Sequence, residues 1–132
     1  MRGGKTMIDE NAMNHIRFAV RVEKAAAIYN HGEFHSHHEA FSVLQEECEE
    51  VVEAVQKFVK TYTQYGKTVE TAGMPNLWHF VRKDNTRKIH KELSVKIINN
   101  IKNRALEIAQ EGVQVAAVCD KWILLLNKEC EE

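Results

Sequence analysis

The most regular hydrophobic pattern of the chain lies between residues 36 and 62. Its apolar residues recur at intervals of four and three, which places them on one face of a helix. Ser36 and Glu39 form the S-x-x-E pattern of a capping box, so this helix is predicted to begin at His37. The apolar positions are Leu44, Cys48, Val51, Val55, Phe58 and Tyr62.

A helix with two apolar stripes is predicted to precede it, from about Glu10 to Tyr29. Asp9 is the expected N-cap, and Gly32 is the expected stop. A helix that is apolar on two sides is usually covered on two sides. One small subunit has too few helices to cover both stripes, so we expect a homodimer or a homotetramer. The stripes are Phe18, Val22, Ala25 and Tyr29, and Ile16, Val20 and Ala27.

The second half of the chain is also helical in pattern. A loop is predicted to end at Asn76, and this asparagine is expected to cap a short helical turn that follows. A single helix over the rest of the chain would be unusually long for a small domain. We therefore predict a break near Asn99 and Asn100, between a third helix over residues 84–98 and a fourth over residues 101–127. The apolar seam of the fourth helix is Ile101, Ala105, Ile108, Gly112, Val115, Cys119, Trp122 and Leu126.

The whole chain has the composition of an ordinary globular protein. It has 132 residues, of which 44% are hydrophobic and 28% are charged, and this fits one folded domain with its own core. Few glycines and prolines interrupt the helical patterns. We therefore predict an all-α protein, an antiparallel bundle of about four helices in a single domain over residues 1–132. Residues 1–6 contain two glycines and no apolar anchor, and we expect them to be flexible.

Net charge and the length of apolar runs limit the expected partners. The formal net charge is −1, which offers no global attraction to nucleic acid. No apolar run is long enough for a membrane span, and no signal-peptide pattern follows Met1. Cys48, Cys119 and Cys130 lack C-x-x-C spacing and fit free thiols in a reducing compartment. We expect a cytoplasmic protein without membrane or nucleic-acid partners.

Glutamates crowd one flank of the capping-box helix. Glu46, Glu47 and Glu50 share one helical face, where they repel one another unless a cation lies among them. Such a cluster is either a solvated acidic face or half of a divalent-metal site. If this helix packs antiparallel to the fourth helix through their seams, the facing positions are also acidic or amide side chains. This coincidence favours a Mg²⁺ site. The facing residues are Glu107, Glu111 and Gln114.

A histidine-rich tract over residues 31–38 precedes the capping-box helix. Its spacing matches no standard zinc motif, and no cysteine lies nearby. We interpret these side chains as loop histidines near a helix N-terminus rather than as a dedicated transition-metal site.

The acidic run resembles the E-E-x-x-E motif of the all-α nucleoside triphosphate pyrophosphohydrolases, the MazG-like superfamily. The matching residues are Glu46, Glu47 and Glu50. That superfamily pairs this motif with E-x-x-D on a later helix. Glu111 begins a similar segment, in which Gln114 stands where the aspartate belongs. The segments His38-Glu39-Ala40 and Val115-Ala116-Ala117-Val118 are similar to those of small phage and bacterial MazG-like proteins that carry glutamine there.

The resemblance implies an oligomeric, Mg²⁺-dependent helical enzyme that cleaves a nucleoside triphosphate, ribo or deoxyribo, to monophosphate and pyrophosphate. One glutamate, Glu46 or Glu50, would orient or deprotonate the attacking water. Lys57 and Arg104 lie on the flank of the site and are expected to contact phosphates. The expected Mg²⁺ ligands are Glu47, Glu50, Glu111 and Gln114. His38, Glu39 and Glu107 are secondary site residues.

Gln114 keeps a second hypothesis open. A glutamine carbonyl can coordinate Mg²⁺, but it brings no charge and cannot act as a base. The site would then bind its metal more weakly, or Glu107 would compensate from one turn before Glu111. Alternatively, the chain is a non-catalytic oligomeric binding or adaptor protein that keeps the fold without the activity. The base and sugar of the substrate are not readable from these residues.

Overall fold

A computed structural model describes residues 7–67, 76–83 and 88–131. The described residues form four α-helices and one π-helical turn and contain no strand, which confirms the all-α prediction. Nowhere in this part of the chain is a helix long and apolar enough to cross a membrane. Residues 1–6, which we expected to be flexible, lie outside the described residues. The helices are α1 (Met7–His31), α2 (His37–Thr61), α3 (Leu77–Lys83) and α4 (Lys88–Glu131), and the π-helical turn is Tyr62–Gly66.

The start of α1 differs from the prediction, whereas its end agrees with it. The helix begins at Met7, so Asp9 lies inside the first turns and is not the N-cap. The observed start lies three positions before the predicted one, Glu10, because nothing between Met7 and Asp9 breaks a helix. Gly32 has a φ of +74°, and its N–H donates to the Ile28 carbonyl at 2.7 Å. This left-handed residue ends the helix, as expected.

The capping box at the start of α2 is present in a modified form. The Glu39 N–H donates to Ser36 Oγ at 3.1 Å, as the motif predicts. The Glu39 carboxylate, however, accepts from the His35 N–H at 2.7 Å instead of from the Ser36 N–H. The helix begins at His37, as predicted.

Asn76 caps α3, as predicted, and also connects it to the preceding turn. Its Oδ1 accepts from the His79 N–H at 3.0 Å. Its Nδ2 donates to the Lys67 carbonyl at 3.2 Å, and the side chain is fully buried. One asparagine therefore satisfies backbone groups on both sides of residues 68–75, which lie outside the described residues.

The predicted break near Asn99 and Asn100 is wrong. Residues 88–131 form one continuous helix, so the predicted third and fourth helices are a single element. An asparagine in a helix interior costs only about 0.7 kcal/mol relative to alanine. With no proline and no glycine beside them, two asparagines lack the steric or conformational means to end the helix.

The chain divides into two compact units. The first consists of Met1–Glu49 with Gln110–Glu132, and the second is Glu50–Ala109. Within the first unit, α2 and α4 run antiparallel, because early residues of α2 contact late residues of α4 and later ones contact earlier ones. The apolar side chains buried in this unit are Val20, Phe34, Ala40 and Ala117. In the second unit, α3 packs against the π-helical turn, and Ala54 and Phe80 are buried.

The two apolar stripes of α1 differ in their exposure. Val20, from one stripe, is buried, whereas the other stripe faces solvent. In that exposed stripe, Phe18 is 59% exposed, Val22 51% and Tyr29 90%. The first unit therefore leaves one complete apolar stripe uncovered within the described residues.

The glycines at positions 32 and 112 allow a matched stability test. Gly112→Ala should raise the free energy of unfolding by about 0.5–1 kcal/mol, because alanine is the better helix former and its Cβ meets no atom within 4 Å. Gly32→Ala should lower it by about 1–2 kcal/mol, because the positive φ is strained for an L-residue. Urea unfolding followed by circular dichroism measures both changes. A destabilising Gly112→Ala would contradict the open environment of that helix face.

Candidate metal centre and adjoining cavity

Helices α2 and α4 bring acidic side chains together where they run antiparallel. Glu47 on α2 and Glu111 on α4 are both half-buried. Glu50 follows Glu47 by one turn of α2 and belongs to the same group, in which one carboxylate oxygen from each residue lies within 4.8 Å of the other two. Three oxygens at this separation form a ligand set that a divalent cation can occupy.

Gln114 connects the two helices at this point. Its side-chain oxygen faces Glu111 Oε2 and Glu47 Oε2, and turning the amide over places its nitrogen 3.1 Å and 3.0 Å from these two oxygens, where it donates to both. A carboxylate only accepts, whereas an amide nitrogen carries two donors. Gln114 is therefore a neutral bridge that holds two negative groups together without a cation. An aspartate at this position would add a fourth carboxylate to Glu47, Glu50 and Glu111 and lose the bridge.

The remaining residues predicted for the site have different surroundings. Glu46 is exposed, and so is His38. Glu39 accepts the His35 N–H and also lies 3.5 Å from the His35 ring nitrogen. The site roles of these three side chains stay predictions.

The two predicted phosphate-binding cations belong to the second unit. Lys57 is exposed on α2. Arg104 is half-buried, and its guanidinium donates to Glu107 Oε1 at 3.1 Å. Among the described residues, no partner is found for the buried Nε of Arg104. The phosphate contacts of Lys57 and Arg104 stay predictions, as does the compensating role of Glu107.

A cavity of about 540 Å³ adjoins the carboxylates within the first unit. It lies among the C-terminal half of α1, the first half of α2 and residues 114–121 of α4. Its size and its mixture of apolar and polar walls are typical of small-molecule sites. The acidic lining residues are Glu23, Glu33, Glu39, Glu46 and Glu47. The apolar lining residues are Ala26, Ala27, Phe34, Val43, Ala117 and Val118, and the others are Asn30, His31, Gln114 and Lys121.

Lys121 and Phe34 are cavity residues that the sequence patterns did not identify. The Lys121 side chain is only 6% exposed, and its ammonium lies 4.2 Å from the centroid of the Phe34 ring. Lys121 follows Gln114 by seven residues, so the two share one face of α4. That spacing was available in the sequence, but the contact with Phe34, which lies before α2, was not.

A hydrogen-bonded clamp fixes the start of α2 against the end of α4. His37 Nδ1 accepts from Trp122 Nε1 at 2.9 Å, and His37 Nε2 lies 2.8 Å from Glu129 Oε1. Because an indole N–H only donates, the neutral His37 ring carries its proton on Nε2 and donates to Glu129. Lys128 also donates to Glu33. Both ring nitrogens of His37 thus serve helix packing.

The thiol near the carboxylates is not an activated nucleophile. Burial raises the pKa of Cys119, and the neighbouring Cys48 and Asp120 raise it further. The thiolate is the nucleophilic form of cysteine, and a raised pKa disfavours it. Cys119 therefore acts as an apolar seam residue, as its position in the helix pattern predicts.

Comparisons of the chain with protein-family models, with curated proteins and with solved structures found no match. The MazG-like resemblance stays a prediction, carried by the acidic motif of α2 and by the segment that begins at Glu111.

The neutral bridge predicts that a negative charge added at position 114 destabilises the protein more than one added at an exposed position of α4. Gln114→Glu should lower the free energy of unfolding without metal by about 1–3 kcal/mol, because it removes two hydrogen bonds and adds a fourth carboxylate to the group. Gln110→Glu is the matched control on α4; Gln110 is exposed, so its change should stay within about 0.5 kcal/mol. Urea unfolding in EDTA measures both variants. Equal effects at the two positions would rule out the bridge.

Proposed function

We propose that the chain is a Mg²⁺-dependent nucleoside triphosphate pyrophosphohydrolase, which converts an NTP or dNTP to the monophosphate and pyrophosphate. The observation that carries this proposal is the group of three carboxylates, Glu47, Glu50 and Glu111, with a cavity beside Glu47. The reaction class comes from the resemblance of the same acidic residues to the MazG-like motif. A cavity of about 540 Å³ lies within the size range of small-molecule pockets.

The donor set fits Mg²⁺ better than a softer metal. It consists of carboxylate oxygens and the amide oxygen of Gln114, which are hard ligands. To coordinate, the Gln114 amide would present its oxygen, and the ion would take the place of the two N–H groups that satisfy Glu47 and Glu111 in the other amide orientation. When bound, Mg²⁺ would neutralise phosphate charge and lower the pKa of a water ligand.

Glu46 and Glu50 are the proposed groups for handling the attacking water. Glu46 lines the cavity and is exposed, so a water can reach its carboxylate. Glu50 lies in the carboxylate group itself. Either carboxylate would hold the water in line with the bond between the α and β phosphates and accept its proton.

The second candidate function is a non-catalytic oligomeric binding or adaptor protein. Its support is the Gln114 bridge, which satisfies Glu47 and Glu111 without any metal. In a chain that had lost its metal, such a bridge would reduce the repulsion between two facing carboxylates.

Pyrophosphate release separates the two functions. With millimolar Mg²⁺ and the common NTPs and dNTPs, the wild type should release pyrophosphate, and Glu47→Gln and Glu50→Gln should abolish this release. Both variants should also lose the rise in melting temperature that Mg²⁺ gives the wild type through ligand linkage. The matched controls are Glu49→Gln and Glu53→Gln, since both residues are exposed on α2, and they should behave as the wild type.

Two outcomes of this experiment contradict the proposal in different ways. Stabilisation by Mg²⁺ without pyrophosphate release from any nucleotide would favour the non-catalytic function. If Mg²⁺ raises the melting temperature of both variants as much as that of the wild type, Glu47 and Glu50 do not form the proposed metal site.

We further propose that the chain is a homodimer or a homotetramer whose interface covers the exposed stripe of α1. The support is the exposure of Phe18, Val22 and Tyr29, since contiguous apolar patches commonly mark protein interfaces. Light scattering at micromolar protein should give two or four times the chain mass of 15.2 kDa. Phe18→Asp should lower this mass, whereas Asn11→Asp, at an exposed polar position of α1, should not. A monomeric wild type would refute the interface.

A further inference from the structure

We propose that Lys121 recognises the base of the bound nucleotide and that its ammonium donates to a carbonyl oxygen of a keto base. The inference rests on the proposed nucleotide function and adds a substrate preference to it. The preferred bases would be guanine and uracil or thymine rather than adenine and cytosine.

The burial of Lys121 is the first support. Lysine is rarely buried without a partner, because its ammonium loses hydration. Lys121 is 6% exposed, its ammonium lies over the Phe34 ring, and the ammonium nitrogen itself stays open to the cavity. Among the described residues, no carboxylate or carbonyl oxygen accepts a hydrogen bond from it. Because Lys121 lines the cavity, an occupant of the cavity can supply the missing oxygen.

The position of Lys121 on α4 is the second support. Gln114 lies at the carboxylates, and Lys121 lies two helical turns away, about 10 Å along the helix axis. Phosphates bound through Mg²⁺ at Glu47 and Glu111 would occupy the Gln114 end. The part of a nucleotide that extends two turns away from its metal-bound phosphates is the nucleoside.

The lining between these two points is the third support. Ala117 and Val118 lie on α4 between Gln114 and Lys121, and both line the cavity. The same face of α4 thus presents an amide, then an apolar surface, and then an ammonium. This order matches the phosphates, the sugar and ring face, and the polar base edge of a nucleotide.

The donor chemistry of lysine sets the preference. An ammonium has three donors and no acceptor. Guanine offers O6, and uracil or thymine offers O4, as an acceptor, whereas adenine and cytosine place an amino donor at the corresponding position. Phe34 is the positioning residue, because its ring stabilises the ammonium electrostatically and keeps it in the cavity.

The test measures binding without turnover. Calorimetry with Mg²⁺ and α,β-methylene triphosphate analogues would compare guanine, uracil, adenine and cytosine, with inorganic triphosphate as the phosphate-only ligand. The wild type should bind the guanine and uracil analogues about tenfold more tightly than the other two, the difference expected from one hydrogen bond to a charged group. Lys121→Met should remove this preference and leave inorganic triphosphate binding unchanged.

The control variants separate a specific role from a general loss of structure. Lys121→Arg keeps donors at the position and should keep the preference. Lys102→Met changes an exposed lysine of α4 and should leave every affinity unchanged. Circular dichroism of each variant checks the helix content.

Three results would overturn the inference. A wild type that binds all four analogues equally would refute the base contact but leave the proposed function standing. A loss of inorganic triphosphate binding in Lys121→Met would make Lys121 a phosphate ligand instead. If no analogue and no inorganic triphosphate binds at all, the proposed function fails as well.

Discussion

Two carboxylates that face each other across antiparallel helices are the constraint on which the first unit depends. Glu47 and Glu111 are half-buried, and their mutual repulsion opposes the packing of α2 on α4. The Gln114 amide removes this opposition by donating to both. At the start of α2, His37 bonds Trp122 and Glu129. The register of the two helices is therefore fixed by polar contacts at two separate levels, with apolar residues packed between them.

The Gln114 amide also determines whether the carboxylates need a metal ion. A metal ion and two N–H groups are alternative means of satisfying the same carboxylate oxygens. An aspartate at position 114 would make the metal necessary, whereas Gln114 allows the helices to pack with or without one. Whether the protein binds a metal thus depends on two free energies. Coordination of the ion must be more favourable than the two hydrogen bonds that the amide nitrogen can donate.

The residues that follow Gln114 on the same face of α4 line the cavity. Glu111, Gln114, Ala117 and Lys121 follow one another at three- or four-residue spacing, so one helical face carries an acid, an amide, an apolar surface and a cation. Among the described residues, the Lys121 ammonium has no polar partner. An ammonium on a mostly buried side chain beside an aromatic ring is well placed to donate to an oxygen that a ligand supplies.

Local sequence determined the features that depend on a few neighbouring residues. Gly32 and Asn76 have conformations or side-chain oxygens suited to helix ends, and both act as predicted. The spacing of Glu47 and Glu50 placed them on one face because a helix repeats every 3.6 residues. Two complementary seams were enough to indicate the antiparallel pairing of α2 and α4 that brings Glu47 to Gln114.

Tertiary structure decided the features that depend on distant residues or on small energy differences. Asn99 and Asn100 have only a weak local preference against helix, so the continuous α4 was not readable from them. The hydrogen-bonding role of Gln114 required both carboxylates to be in place, since an amide either coordinates or donates according to what faces it. The contact of Lys121 with Phe34 joins the last helix to the loop before α2. No local pattern encodes such a contact, because it exists only once both segments have packed.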